Sequence, residues 1–426
     1  MACAGNQLGN PIQCLLTEVR VAFDGVLLKK WGLSCCLPLV ECWSTERVSA
    51  SLSSLNESRL PYVRCSSVAR AVCFLDSVTE ECRLFDGKWT KEPDKESLLA
   101  YTNGSCTTIP DSKNCFKNGR MDNEFLHWRW KPNGCDLPRF DPRMFFKIVR
   151  GKTMGFIGDS VSKNHADSLL CLLSKEEVPI DVEKNSKEKF QTWHFPKHDF
   201  TLLTLWSEYL VTADELIING SHSNIYNLHL DKPDPKWTTK LPTLDYAIIS
   251  DGHWFFRELH LYQDNNMIGC VYCSNPNITK FNVTFAMKMS FRGALKYINE
   301  CKNCKRLTTF LRTFSPSHFE NGTWNNGGNC NRRKPLKEFE VESSEFYKEI
   351  SDMQNEEIEW VKTESLGKNK HFKVLDITKV MVMRADGHPG SFWGNKWMKG
   401  YNDCVHWCLP GPIDVWNDFL LAHLSH

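Results

Sequence analysis

Five short apolar runs, interleaved with stretches of helical spacing, restrict this chain more than anything else in it. They are Thr153–Ile157, Phe200–Trp206, Asp245–Ser250, Arg306–Phe314 and Phe372–Thr378. Between and around them lie helical patterns. Residues 162–174 have helical texture, and Phe291, Ala294, Leu295 and Ile298 follow helical spacing. Phe346, Ile350, Met353 and Val361 form a further stripe, as do Ile413, Trp416, Leu420 and Leu424. Short runs without polar alternation fit strands buried on both faces. Strands that alternate with helices fit a parallel sheet covered on both sides. The expected class is α/β, with a three-layer parallel sheet flanked by helices.

Charge adds little. Fifty-two basic against 51 acidic residues leave a net +1, so nothing steers the chain towards nucleic acid or an anionic membrane. Cysteine says more. There are 19, including the pairs Cys270/Cys273 and Cys301/Cys304. Such CxxC pairs suit either zinc or disulfides. Asn56, Asn103, Asn219, Asn277, Asn282 and Asn321 each open an N-x-S/T triplet, candidate glycosylation sites. Together with the cysteines these favour an oxidising secretory lumen, hence disulfides and no metal. An odd count leaves at least one thiol outside intrachain pairs, and spacing does not fix the connectivity.

Three segments differ in texture. Residues 1–77 form a linker-like N-terminal segment, Ser-rich from 44 onwards. It has no apolar stretch long enough to span a membrane and no convincing signal peptide. Residues 78–150 combine aromatics, turns and cysteines, as a smaller disulfide-stapled lobe would. Residues 151–426 carry the strand–helix alternation.

Reactive groups in such a sheet gather at the carboxyl ends of the strands. Gly158-Asp159-Ser160 closes the first run. Ser160 is either a helix N-cap or a nucleophile, and a serine hydroxyl needs a base to be nucleophilic. Asp403 and His406 supply one. Three residues apart, they share a face on a helical turn, so the carboxylate can orient the imidazole. Cys404 and Cys408 flank the pair, where a disulfide would fix the loop.

These residues resemble the SGNH/GDSL hydrolase superfamily. The segments CRLFDGKW, YTNGSC, NCFKNGR, WRWKPNGCDLPRFD, FIGDSVSKNH and NDCVHWCLPGPIDVWNDFLL are more closely similar to the plant trichome-birefringence-like family. The resemblance covers roughly residues 78–426. It implies a Golgi polysaccharide O-acetyltransferase with an SGNH-like sheet, in which Ser160 is the nucleophile, His406 the base and Asp403 its orienter. GHWFFRE, GCVYCSNPNIT and LRTFSPSHFENGTWNNGGNC look most like the xyloglucan branch, with mannan and xylan enzymes as alternatives. The partners implied are a hemicellulose acceptor and an acetyl donor, possible sources including acetyl-CoA, with no bound cofactor. Family members usually carry a membrane anchor, and this chain departs from that pattern before about residue 78.

Other candidates follow. Each tetrahedral step needs oxyanion donors, for which Gly252, His253 and Asn164 are candidates beside the Ser160 N–H. Trp128, Arg129 and Trp130 suit a sugar platform or packing between lobes. Arg384 and His388, in RADGHPG, suit either the cleft lining or a turn. Two rival functions share these residues: an acetyl esterase with the same triad, and a non-catalytic polysaccharide-binding wall protein.

Overall fold

The computed structural model describes three strands within residues 15–43, as backbone, and residues 82–425 apart from 93–99, 103, 184–188, 305, 342–344 and 395–399. The linker-like stretch 44–77 and the triplets at Asn56 and Asn103 therefore lie outside the described residues. The chain divides into two compact units, Met1–Leu75 and Asp76–His426. In the first, β1 (Leu15–Phe23), β2 (Val26–Ser34) and β3 (Val40–Trp43) form an antiparallel meander.

The second unit opens with the antiparallel strand pair of the lobe, β4 (Arg83–Lys91) and β5 (Trp128–Asn133), and α1 (Pro142–Val149). Next come β6 (Thr153–Gly158), α2 (Ser160–Leu173), β7 (Ile180–Asp181), β8 (Phe190–Phe195) and β9 (Phe200–Trp206). Then follow β10 (Val211–Ile218), β11 (Ser221–Pro233), α3 (Pro235–Thr238), β12 (Tyr246–Ser250), β13 (Leu259–Gln263) and β14 (Asn266–Val271). The chain continues through α4 (Val283–Glu300), β15 (Leu307–Arg312), α5 (Glu338–Val341) and α6 (Glu345–Glu364). It closes with β16 (Lys370–Leu375), α7 (Thr378–Val382) and α8 (Val415–Ser425).

The central sheet runs β16-β15-β12-β6-β9-β8-β7. The first five strands are parallel, and β8 and β7 add an antiparallel edge. The five expected runs are the five parallel strands. Their side chains alternate between two cores, as a two-residue period requires. Phe156, Ile248 and Phe310 face a cluster with α2, α8, α1 and the lobe residues Trp89 and Trp130. Ile157, Ile249 and Leu311 face one with Phe291, Leu295 and Ile298 of α4 and Ile358 and Val361 of α6. Helices thus cover both faces. The α6 stripe holds except at Phe346, which is exposed.

The sequence reading missed a second, mixed sheet, β10-β11-β13-β14, antiparallel at its two outer pairs and parallel between β11 and β13, that packs against α4 around Leu228, Leu261, Ala286 and Met287. Its two tight turns are Asn219-Gly220 and Asp264-Asn265, all four residues at positive φ. Paired positive φ is the geometry of two-residue hairpin loops. The lobe is stapled to itself by Cys82–Cys135 and to the main body by Cys106–Cys171 and Cys115–Cys408. Both CxxC pairs close on themselves as disulfides. Among the described residues no helix is long and apolar enough to cross a membrane.

Candidate active site

Strand β6 ends at Gly158, and the neighbouring strand β12 decides why a glycine stands there. Gly158 has φ 143°, and a Cβ would lie 1.7 Å from the Ser250 carbonyl oxygen. Only a residue without a side chain permits that approach. The chain then turns at once into α2. Asp159 is its N-cap: Oδ1 accepts hydrogen bonds from the Val161 N–H (2.9 Å) and the Ser162 N–H (3.3 Å). The capping role weighed for Ser160 therefore falls to its neighbour. Ser160 becomes the first helical residue, with its hydroxyl left for another partner.

That partner is His406. Its Nε2 lies 2.7 Å from Ser160 Oγ, and its Nδ1 lies 2.8 Å from Asp403 Oδ2. A carboxylate only accepts, so Nδ1 carries the proton and Nε2 of the neutral ring accepts from the serine hydroxyl. Burial alone would raise the Asp403 pKa. The charge and hydrogen bond of His406, with two backbone N–H donors, outweigh it and hold the carboxyl well below the usual carboxylate range. Those donors are Val405 (3.1 Å) and His406 (3.0 Å), both on Oδ1. Here the structure corrects the sequence reading. Residues 403–408 form no helical turn. The Asp403 side chain instead folds the backbone around itself, as Asp does in turns.

This loop is held from outside. Asp403 exchanges two backbone hydrogen bonds with Gly390, at 2.8 and 3.0 Å. Cys404 bonds Cys330 and Cys408 bonds Cys115, so the flanking cysteines reach remote partners rather than each other. Asn164, one turn along α2 from Ser160, clamps the Trp407 backbone. Its Oδ1 accepts from the Trp407 N–H (2.8 Å) and its Nδ2 donates to the Trp407 carbonyl (3.4 Å).

A family model described as PC-Esterase, the GDSL/SGNH-like acyl-esterase family found in Pmr5 and Cas1p, matches residues 137–423. The chain belongs to this family. A second model, the PMR5 N-terminal domain, matches residues 80–136, the disulfide-linked lobe of this acyl-esterase family member. The chain is similar to xyloglucan O-acetyltransferase 4 of Populus trichocarpa, 57% identical over 346 residues and 81% of each chain. It is 52% identical to xyloglucan O-acetyltransferase 2 of Arabidopsis thaliana over 351 residues, covering 82% of this chain and 84% of that one. With protein trichome birefringence-like 20 of Arabidopsis thaliana it shares 43% over 353 residues, 81% and 72% of the two chains. The resemblance read from the motifs holds.

Other candidates in this acyl-esterase site fall elsewhere. The Gly252 N–H donates to Asp251 Oδ1 (2.6 Å) and the His253 N–H to Asp159 Oδ2 (3.3 Å). The His253 Nε2–H donates to the Ser315 carbonyl (2.9 Å), and burial pushes that ring down to about 4. A neutral ring protonated at Nε2 has only an acceptor left at Nδ1, so the side chain has no free N–H for an oxyanion. The Asn164 amide is buried and occupied by Trp407. The Ser160 N–H, in the first turn of α2, is the donor best placed, because first-turn N–H groups lack intrahelical partners.

Trp128, Arg129, Trp130 and Arg384 line one cavity of about 440 Å³ between the lobe and α8, which none of Ser160, Asp403 or His406 lines. Trp130 is buried, its Nε1 donating to the Leu84 carbonyl (2.8 Å). Arg129 donates to the Leu137 carbonyl (2.6 Å). Arg384 and His388 are corrections too. Arg384 is fully buried and paired with Asp386 (2.8 Å), and His388 is buried behind the Asp403–Cys408 loop, so neither is open to a sugar. Asn219, Asn277, Asn282 and Asn321 are exposed, and Asn282 caps α4 through its Oδ1.

The sequence reading also missed groups behind Ser160. Asp251 is buried, and burial and then the Asp159 charge raise its carboxyl well above the usual range. Arg312 is buried, and burial lowers it to about 10 against the pull of Asp159 and Asp251. SDGHW carried Asp251 in plain view, yet no spacing rule links it to an arginine 61 positions on.

Proposed function

We propose that this protein is a xyloglucan O-acetyltransferase of the Golgi lumen that works through an acetyl-serine intermediate. The contact between Ser160 Oγ and His406 Nε2, 2.7 Å, carries the mechanism. The acceptor follows from relatives named xyloglucan O-acetyltransferases at 52–57% identity. Six disulfides among the described residues support an oxidising lumen.

In the first step His406 takes the Ser160 proton while Oγ attacks the acetyl carbonyl of the donor. The oxyanion forms at the amino end of α2, where the Ser160 N–H and the helix dipole favour negative charge. Collapse of the intermediate returns the proton to the departing donor group and leaves acetyl-Ser160. In the second step His406 deprotonates a sugar hydroxyl, which attacks the acetyl-serine and restores the free enzyme. Asp403, ionised throughout, holds the imidazole in its working tautomer and stabilises the imidazolium.

The acyl-esterase description of the family supports a second reading, in which water takes the acetyl group. Incubating the purified protein with an acetyl donor, with and without xyloglucan oligosaccharide, separates the two. Mass spectrometry of the sugar should reveal added acetyl. Acetate released at the same rate in both arms, with an unmodified sugar, would leave the esterase.

A further inference from the structure

Behind His406 lie two more histidines whose contacts fix how many protons they share. His318 Nε2 is 2.8 Å from the Val382 carbonyl oxygen, His318 Nδ1 is 2.7 Å from His388 Nε2, and His388 Nδ1 is 2.6 Å from the His406 carbonyl oxygen. All four ring nitrogens are engaged, in three contacts. Both outer contacts end on carbonyl oxygens, which only accept, so His318 Nε2 and His388 Nδ1 each carry a proton. With only those two protons, the middle contact would set two nitrogen lone pairs against each other. A hydrogen bond there needs a third proton.

We propose that His318 and His388 form a proton-sharing pair that holds three protons and one positive charge, and that positions the His406 backbone while disfavouring a second charge on the His406 ring. They are positioning residues, acting on the reaction through His406. The surroundings argue both ways. Burial opposes the extra proton, pushing His318 down to about 4 and His388 well below the ordinary range. Arg332 on the His318 side and His406 on the His388 side oppose it as well. Asp386 and Glu320 beside His318, and Asp403 beside His388, favour it. Arg120, whose Nη1 donates to the His388 carbonyl (3.0 Å), opposes the extra proton too, its charge only partly offset by Asp122, which also pairs with Arg333, and Asp386 is partly compensated by Arg384. The His388 ring stacks on Trp407, centroids 4.2 Å apart at 29°, the arrangement in which an indole face stabilises a cation. Three short contacts with only two protons would leave one of them repulsive, and this decides for the charged pair.

The inference rests on His406 being the base, so the first readout avoids activity. Nitrogen-15 NMR of histidine-labelled full-length protein at pH 7, with the His318 and His388 signals assigned, should find between those two rings one imidazolium-like ring, or a pair exchanging one proton. Two neutral rings with one proton each would overturn the proposal. The second readout is the pH profile of kcat/KM for His388→Gln and His318→Gln. Glutamine retains a donor and an acceptor but no charge. Removing a cation behind the base should move the acid limb to higher pH by about one unit. A loss of rate with the limb unmoved would mean packing only, and would also overturn the proposal. Should the variants not fold, the NMR readout on the unaltered protein decides. Loss of the triad reading itself would appear differently, as His406→Ala retaining transfer.

Discussion

The serine and the histidine of this site meet across 2.7 Å but are held by different means. The Gly158–Ser160 junction is made by its own neighbours: a strand ends, a glycine allows close passage, an aspartate caps a helix, and the next residue is presented. The loop from Asp403 to Cys408 has no regular structure to define it. Two disulfides and the Asn164 clamp, from segments remote in the chain, hold it together with a backbone pair to Gly390. The proposed nucleophile is therefore built locally, while its proposed base is an imposed position. Damage to the cross-links should disarm the site before it unfolds the sheet.

The largest effect tests the contact itself. Ser160→Ala should lower acetyl transfer by about 10⁴-fold or more while leaving the melting temperature within about 1 °C, because Asp159 rather than Ser160 caps α2. A melting temperature several degrees lower would mean that the serine hydroxyl supports the junction after all. The second effect addresses the imposed half. Opening the loop with Cys330→Ser and Cys404→Ser together should lower kcat by about 10²-fold, as base and nucleophile lose alignment. It should destabilise the fold by about 2–4 kcal/mol. Circular dichroism retained alongside lost turnover would sharpen the contrast; full turnover in the double variant would break it.

The third effect lies between the halves. Asn164→Ala leaves the buried Trp407 N–H without its partner, a cost of about 1–3 kcal/mol. It should reduce kcat more than it raises KM, which steady-state kinetics would reveal. The smallest effect is on stability against pH. Folded Asp403 binds its proton more weakly than the unfolded chain does. Its contribution is complete at pH 7 and is lost as pH falls below the ordinary carboxylate range towards the depressed folded value. Asp403→Asn should melt lower than the unaltered protein at pH 7, with the gap narrowing below about pH 4. A gap that widened on acidification would reverse the assigned sign.

The same contrast explains what could be read in advance. Short apolar runs such as Thr153–Ile157 announced the parallel strands, because both faces of those strands are buried and periodicity records burial. Ser160, too, was visible from its place at a strand end. The second, mixed sheet was not, since only one face of it is buried and its runs carry polar residues such as His222, Asn224 and Asp231. Its signal lies in Asn219-Gly220, a turn dipeptide that also opens an N-x-S triplet. Asp403 and His406 were paired by spacing, but three residues apart suits a helix and an aspartate-centred turn alike. Only the N–H groups of Val405 and His406 tell them apart. No spacing announces that Cys408 pairs with Cys115, because a disulfide depends on where two segments end up in space.

That last bond ties together residues 293 positions apart, one near the start of the second unit and one near the end of the chain. During synthesis the earlier thiol can meet this partner only after residue 408 has emerged. Forming that bond anchors one end of the loop that carries the His406 imidazole. Under the proposed mechanism, a molecule lacking this bond would present its serine while the group proposed to accept the proton had lost an anchor, so turnover should report on whether the bond has formed.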